Sequence, residues 1–269
     1  MRISDFISRI KDMELPISDG YDIVAWLLDI EYDKAKMALE IPHEKALEVL
    51  RMLDEGIPTA YITNRREFYG REFYVDENVL IPRVETEVLV EEALKVIENI
   101  KNPKVLDLCT GSGCILLSVL SERVDASGLG VDISAEALEV AKRNRQLLGV
   151  GNRACFKKGD ALSFVWRDDD YNIVLCNPPY VTEEEYISSD CSLKYEPKLA
   201  LTAEDNGLFF YKNILRNISL LCKKDCVAIF EIGHNQNLAL KDIANSMGIN
   251  VFFVKDLAGI DRVMVCLLK

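Results

Sequence analysis

From Lys104 onward the chain alternates short apolar runs with longer amphipathic ones, and this alternation restricts the fold more than any other feature. The apolar runs are VLDL (105–108), GLGVDI (128–133), ACFKK (154–158), YNIVLC (171–176), CVAIFEI (226–232) and NVFFV (250–254). They have the length and composition of strands. Between most of them lie stretches of helical spacing, such as CILLSVL and SAEALEVAKRNRQLL, the second opened by Ser134 as a helix cap. Such alternation predicts a doubly wound α/β fold with a mostly parallel sheet. A seventh run, VMVCLLK (263–269), follows NVFFV after only a loop, so this last strand is expected to be antiparallel to its neighbour.

Upstream the pattern differs. Ile23, Val24, Trp26, Leu27, Leu28 and Ile30 cluster at helical spacing, as do Ala46, Leu47, Val49, Leu50 and Leu53. Residues 1–65 are therefore expected to form a small helical bundle, a docking or stability module to which the sequence gives no chemistry. EFYGREFYVDENVLIP places aromatic and β-branched residues around Gly70 and predicts a β-hairpin linker over 66–85. VETEVLVEEALKVIENI (84–100) predicts an amphipathic helix, and 86–269 forms the second domain.

Composition narrows the classes of function. Hydrophobic residues at 49% and charged residues at 28% match a globular chain with a sizeable core. The N-terminal MRISDFISRIKDMELP carries charges every few residues, unlike a signal peptide, and no stretch approaches the roughly 18 uncharged apolar residues of a membrane span. A cytoplasmic monomer with no membrane partner is expected. Residues 1–85 hold 11 Lys and Arg against 18 Asp and Glu, and the remainder 21 against 26. Neither segment is basic, which argues against unaided binding of duplex nucleic acid. Cys109, Cys114, Cys155, Cys176 and Cys266 sit in apolar runs, where buried reduced thiols are expected. Cys222 and Cys226 have no second cysteine pair at zinc spacing and only His43 and His234 in the whole chain, so no metal site is expected.

The loops after the strands carry the chemistry. VLDLCTGSGCI puts Gly111 and Gly113 between the first strand of the sheet and a helix start, where glycine lets a ligand approach the backbone and free N–H groups are on offer. A phosphate-binding dinucleotide fingerprint needs another glycine three residues after Gly113, and Leu116 stands there. Asp107 below the loop suits a cationic ligand better than a pyrophosphate. Asp132, ending the second strand in GVDIS, is placed to accept both hydroxyls of a ribose. Asp160 and Ala161 in GDAL offer a side-chain acceptor and a backbone N–H to an adenine edge. A ribose, an adenine and a positive centre together describe S-adenosylmethionine, with Asp107, Cys109, Thr110, Gly111, Ser112, Gly113, Asp132, Ile133, Asp160, Ala161 and Asn177 as the candidate cofactor-binding residues and S-adenosylhomocysteine as the product.

YNIVLC stops at NPPY (177–180), because two prolines fix two φ angles and remove two donors, so a central strand cannot continue. The C-terminal strand end is where open α/β sheets bind ligands. There Asn177 and the carbonyl of Pro178 can accept both N–H groups of a planar NH2, while Pro179 stiffens the turn and Tyr180 packs on its face. Asn177, Pro178, Pro179 and Tyr180 are thus the candidate catalytic residues. The chemistry is positioning for in-line methyl transfer rather than acid–base work.

These residues resemble the amino-directed class I methyltransferases, whose sheet is Rossmann-like and seven-stranded. YITNRREFYGREFYVDENVLIPRVETE (61–87), VLDLCTGSGCI, NPPY, YEPKLAL (195–201), EDNGLFFY (204–211), FEIGHNQ (230–236) and DLAGIDRV (256–263) narrow the resemblance to the peptide chain release factor N5-glutamine methyltransferases, the HemK or PrmC family. The resemblance implies methylation of the GGQ glutamine of class 1 release factors, which modulates translation termination. It also implies Thr110 to Gly113 at the methionine part, Asp132 at the ribose, Asp160 and Ala161 at the adenine, and NPPY at the glutamine amide. By the same resemblance Arg83, Glu85 and Glu196 either shape the mouth of the site or serve as hinge and loop salt bridges. Glu231 and His234 end the fifth strand, where the histidine reads as an incidental cap or surface residue. Asn64, Val84 and Ile260 depart from the family pattern outside the cofactor and amide positions. Two other readings compete: a nucleic-acid methyltransferase with the same clamp, which needs a basic groove or target-recognition domain, and a non-catalytic cofactor-binding protein, which is expected to lose Asn177 or the GxG loop.

Overall fold

A computed structural model describes residues 1–163, 171–189 and 191–268, apart from the side chains of 191 and 222–224. The chain divides into two compact units, one formed by Met1–Arg65 with the short stretch ending at Tyr195, the other by the remainder from Arg66. In the first unit helices α1 (Ile3–Asp12), α2 (Ile17–Leu28), α3 (Tyr32–Ala35), α4 (His43–Asp54) and α5 (Thr59–Thr63) enclose a core of Phe6, Ile10, Ile23, Val24, Val49 and Leu50. The Met1 ammonium donates to the Ile41 carbonyl at 2.8 Å, tying the N-terminus to the start of α4. Asn64 ends α5 at φ +54°, a left-handed position that asparagine tolerates better than other non-glycine residues, so the departure from glycine there is accommodated.

The second unit opens with the hairpin β1 (Arg65–Phe68) and β2 (Arg71–Tyr74). Both turn residues, Tyr69 and Gly70, have positive φ, as a two-residue turn between right-twisted strands requires. Expected as a linker, this hairpin instead buries Phe68 and Phe73 in the same core as the large sheet. A 3-10 turn at Val84–Thr86 precedes α6 (Glu87–Ile97), which is shorter at both ends than its predicted 84–100 span. Then follow β3 (Lys104–Leu108), α7 (Cys114–Glu122), β4 (Ser127–Asp132), α8 (Ala135–Leu147), β5 (Ala154–Lys158) and β6 (Tyr171–Cys176). After these come α9 (Glu183–Ser188), α10 (Lys198–Leu201), α11 (Phe209–Asn217), β7 (Cys222–Glu231), α12 (Asn237–Ser246), β8 (Asn250–Lys255) and β9 (Asp261–Leu267).

The large sheet has the order β5-β4-β3-β6-β7-β9-β8. Strands β3 to β7 run parallel, while β9 lies antiparallel to both β7 and β8, as expected. Strand periodicity of two divides the central strands between two cores. Val105, Ile173, Leu175, Ile229 and Val265 meet α6 and α7 on one face. Leu106, Leu108, Val174, Phe230 and Met264 meet α11 and α12 on the other. Burial on both faces explains why β3 and β6 read as continuous apolar runs, whereas edge strand β5 ends in two exposed lysines. Helix α7 is surrounded by protein over its first two turns, and every residue from Cys114 to Leu120 is buried. Ser134 caps α8 through its hydroxyl, which accepts from Ala137 N–H at 3.0 Å. Cys155 is an exception to the expected burial of cysteines: it faces solvent on β5, because alternation along an edge strand leaves that position uncovered. Among the described residues no helix is long and apolar enough to cross a membrane.

Asn144 on α8 is fully buried and locks the hairpin to the loop after β3. Its Oδ1 accepts from Tyr74 N–H at 2.7 Å, while Nδ2 donates to the carbonyls of Tyr74 (3.0 Å) and Ser112 (2.9 Å). Asn144→Leu leaves the partly buried Tyr74 N–H and carbonyl and the buried Ser112 carbonyl without their partner and is expected to cost about 2 kcal/mol of stability, with loss of hydrogen-exchange protection at the Tyr74 amide. Unchanged protection at that amide would refute this bridging role.

Candidate functional site

A cavity of about 530 Å3 opens above the C-terminal ends of β3, β4, β5 and β6, four neighbours in the sheet. Each strand contributes the loop that follows it: Cys109, Thr110, Gly111 and Ser112 after β3; Asp132 and Ile133 at the end of β4; Asp160 and Ala161 after β5; Asn177 and Pro179 after β6. These ten sequence-predicted residues are thereby brought to one cavity. The other four, Asp107, Gly113, Pro178 and Tyr180, do not line it but adjoin residues that do.

The β3 loop is held by its own backbone. Gly111 and Gly113 both have positive φ, and a Cβ at Gly113 would come within 3.1–3.3 Å of Leu117, Ala141 and Phe156. Cys109 also takes a positive φ of 58°, a conformation that a side chain with a Cβ adopts at some cost. Asp107 is fully buried beneath this loop and accepts from the Thr110 hydroxyl at 2.5 Å through Oδ2, while Oδ1 has no hydrogen-bond partner among the described residues. Burial pushes its carboxyl up to about 7, against the opposing effect of the Thr110 hydroxyl. Asp132 accepts from the N–H groups of Gly111 (2.8 Å) and Ser134 (3.0 Å), one on each oxygen, and burial raises its pKa as well. Each oxygen retains a lone pair. Asp160 accepts from Leu162 N–H at 2.8 Å, which shapes the exposed turn after β5.

After β6 the chain turns at NPPY and is pinned by main-chain bonds: the N–H groups of Tyr180 and Val181 both donate to the Leu201 carbonyl, and Ala203 N–H returns to Val181. Three side chains converge on the carboxylate of Glu231 at the end of β7. Asn177 Nδ2 donates to Oε2 at 3.0 Å, the Thr86 hydroxyl to the same oxygen at 2.5 Å, and the Tyr180 hydroxyl to Oε1 at 2.9 Å. The backbone carbonyl of Glu231 accepts from the Tyr211 hydroxyl at 2.8 Å. Glu231 is only 2% exposed. Burial raises its pKa, opposed by the Thr86 and Tyr180 hydroxyls, and burial likewise raises the Tyr180 phenol.

Arg83, which lines the cavity, pairs with the buried Glu196 at 2.5 Å, and Glu196 also accepts from Ile81 N–H at 3.0 Å. Glu85 is exposed, as is His234. Thr86, Asn144, Tyr211 and the convergence on Glu231 are not readable in the sequence, since each depends on partners between 20 and 145 positions away. Glu231 itself was visible as the acidic end of an apolar strand, a rare place for a buried charge.

Residues 99–249 match a family described as a methyltransferase domain. The chain is 37% identical over 253 residues to a release factor glutamine methyltransferase of Enterococcus faecalis, covering 91% of this chain and 87% of that protein. It is 39% identical over 227 residues to the protein of the same name from Bacillus subtilis, covering 81% and 78%. The catalytic domain of hMettl16, solved with an RNA hairpin, shares the fold at a TM-score of 0.61 and 16% identity, covering 85% of this chain and 84% of that one.

Gly207 underlies the NPPY turn: at φ +77° it brings its α-carbon so close that a Cβ would lie 2.1 Å from the Tyr180 carbonyl oxygen. Gly207→Ala is expected to lower stability by about 3 kcal/mol or more in denaturant titration, because both the backbone conformation and the contact become unfavourable. A neutral substitution would show that the turn is free to move.

Proposed function

The chain belongs to the release factor glutamine methyltransferase family, and on that premise we propose that it transfers a methyl group from S-adenosylmethionine to the side-chain nitrogen of the GGQ glutamine in class 1 release factors. The observation that carries this reading is the orientation of the Asn177 amide. Its Nδ2 is committed to Glu231, so Oδ1 remains to accept an N–H from a ligand in the cavity. An acceptor at that point selects a nitrogen that bears hydrogen, as a primary amide does.

The residues present fit the cofactor. Three buried carboxyl groups have raised pKa values, Asp132 in the cavity lining and Asp107 and Glu231 hydrogen-bonded to residues that line it, and Asp107 has an unpartnered oxygen, which favours a cationic guest over a phosphate. Thr110, Gly111, Ser112 and Gly113 would hold its methionine part, with Asp107 and Cys109 beneath and beside them. Asp132 and Ile133 would hold the ribose, and Asp160 and Ala161 the adenine. When bound, S-adenosylmethionine supplies an electrophilic methyl group on a sulfonium centre. Asn177 Oδ1 and the Pro178 carbonyl then hold the two amide hydrogens of glutamine, and Tyr180 supports the plane of the amide. Fixing those hydrogens directs the nitrogen lone pair toward the methyl group, so positioning supplies the rate enhancement. The nitrogen's surplus proton departs to water, and no histidine is required. Arg83 lines the cavity together with Glu77, Asn78, Val79, Leu80 and Pro82.

Labelled methyl transfer to purified release factor, to the same factor with its GGQ glutamine replaced, and to adenine-containing DNA tests the substrate. Label is expected on the intact factor alone; label on DNA, or equally on both factors, would overturn the glutamine reading. Asn177→Ala is expected to lower kcat by about a hundredfold or more while cofactor affinity stays within about tenfold. Asp107 gives a separate check. With its pKa raised to about 7, it holds a proton in the free enzyme that a neighbouring cation expels. Calorimetry at about pH 6 in buffers of different ionisation enthalpy is therefore expected to register proton release on cofactor binding, fading at about pH 9 where Asp107 is already ionised. Binding without proton release would remove Asp107 from the cofactor's surroundings.

A further inference from the structure

We propose that Glu231 is the positioning residue that sets which end of the Asn177 amide faces the substrate, an assignment that rests on the proposed clamp. An asparagine amide has two ends of nearly equal shape and opposite hydrogen-bonding character. Turned by 180°, Asn177 would place Oδ1 against the acceptor Oε2 of Glu231 and present an N–H to the substrate's own N–H. Both contacts would then be repulsive. The bond from Nδ2 to Glu231 excludes that state and leaves Oδ1 for the substrate.

Glu231 can impose this choice because it is itself fixed. Thr86 donates to the same Oε2 and Tyr180 to Oε1, while the main-chain oxygen is held by Tyr211 and Ile232 N–H donates to the Arg262 carbonyl. All three side-chain donors come from segments remote from β7. The carboxyl therefore joins the acceptor loop after β6 to the turn before α6, and it reaches the reacting atoms only through Asn177 and Tyr180. The preference survives protonation: a proton on Oε1 can be given to the Tyr180 oxygen, and Oε2 still accepts from Asn177 and Thr86.

That detail makes the test specific. In Glu231→Gln the side-chain oxygen can occupy the Oε2 position, and the new NH2 can donate to Tyr180 once its hydroxyl turns from donor to acceptor. Glu231→Leu keeps the bulk and loses every acceptor. With release factor as substrate, Glu231→Leu is expected to lose about a hundredfold in kcat, with KM for the factor and cofactor affinity within about threefold of wild type. Glu231→Gln is expected to recover to within about tenfold of wild type. A leucine variant with wild-type kcat, or a glutamine variant as impaired as leucine, would overturn the assignment, the latter because it would make charge rather than orientation the requirement. Should the leucine variant fail to fold, Thr86→Val loosens Glu231 without removing it and is expected to lower kcat about fivefold at unchanged KM; an unchanged kcat would overturn the proposal. Wild-type enzyme that labels no release factor would overturn the substrate reading and this inference with it, whereas wild-type transfer with undiminished turnover by Glu231→Leu would overturn this inference alone.

Discussion

One buried carboxylate, that of Glu231, connects the segments on which the site depends. It lies at the end of a central strand, where a charged group is costly unless donors surround it. The donors come from Thr86 before α6 and from Asn177 and Tyr180 after β6, so the cost of burial is offset only when both segments are in place. Removing one donor leaves the others with a less well-satisfied partner, which couples the acceptor loop to the turn that follows the hairpin. The same coupling explains why Tyr180 needs the two glycines around it. Gly207 admits its carbonyl and Gly233 admits its ring, whose Cδ2 lies 3.1 Å from where a Cβ would sit.

The sheet order supplies the place for this arrangement. Crossovers carry the chain outward from β3 through β4 to β5, and then back across to β6 and outward the other way. The loops after β3 and β6 consequently diverge from adjacent strands, leaving a crevice at the point of reversal. Register reinforces this: Leu108 pairs with Cys176, so Cys109 and Asn177 leave the sheet at the same level. The loops proposed to hold the cofactor and the acceptor therefore begin side by side without any further device.

Much of this was legible because it is local. The period-two and helical patterns fix β3 to β6 nearly to the residue, the cap at Ser134 starts α8, and two prolines end β6 at Cys176. Strand β7 was read short, from Cys226 rather than Cys222, because charged residues at its start hide an extended run. Helix α6 was read long, since Val84 to Thr86 has helical composition but makes a 3-10 turn. The ring of partners around Glu231 was not legible at all. Thr86, Asn177 and Tyr180 reach it across 145, 54 and 51 positions, and no spacing rule links residues that distant. The conspicuous His234, by contrast, faces solvent.

The electrostatics of the second unit follow from the same burial. Asp107, Asp132 and Glu231 are raised chiefly by removal from water, with a smaller push from Asp132 on Asp107 and from Glu85 on Glu231, and each is only partly compensated by hydroxyl or N–H donors. Of these three, Glu231 alone has a cationic side chain among its principal influences, Arg262. A cavity with one such carboxyl group in its lining and two more hydrogen-bonded to its lining residues discriminates against phosphate before any specific contact is made, because bringing a second anion near them raises their energy further. It favours a ligand that carries positive charge and then loses it in the reaction, since the charge that helps the ligand enter is absent from what leaves. Methyl transfer from a sulfonium to a neutral amide has that property on the cofactor side. On the proposed reading the fold need not supply a base or a covalent intermediate; it has to keep three carboxyl groups dry and one amide correctly turned.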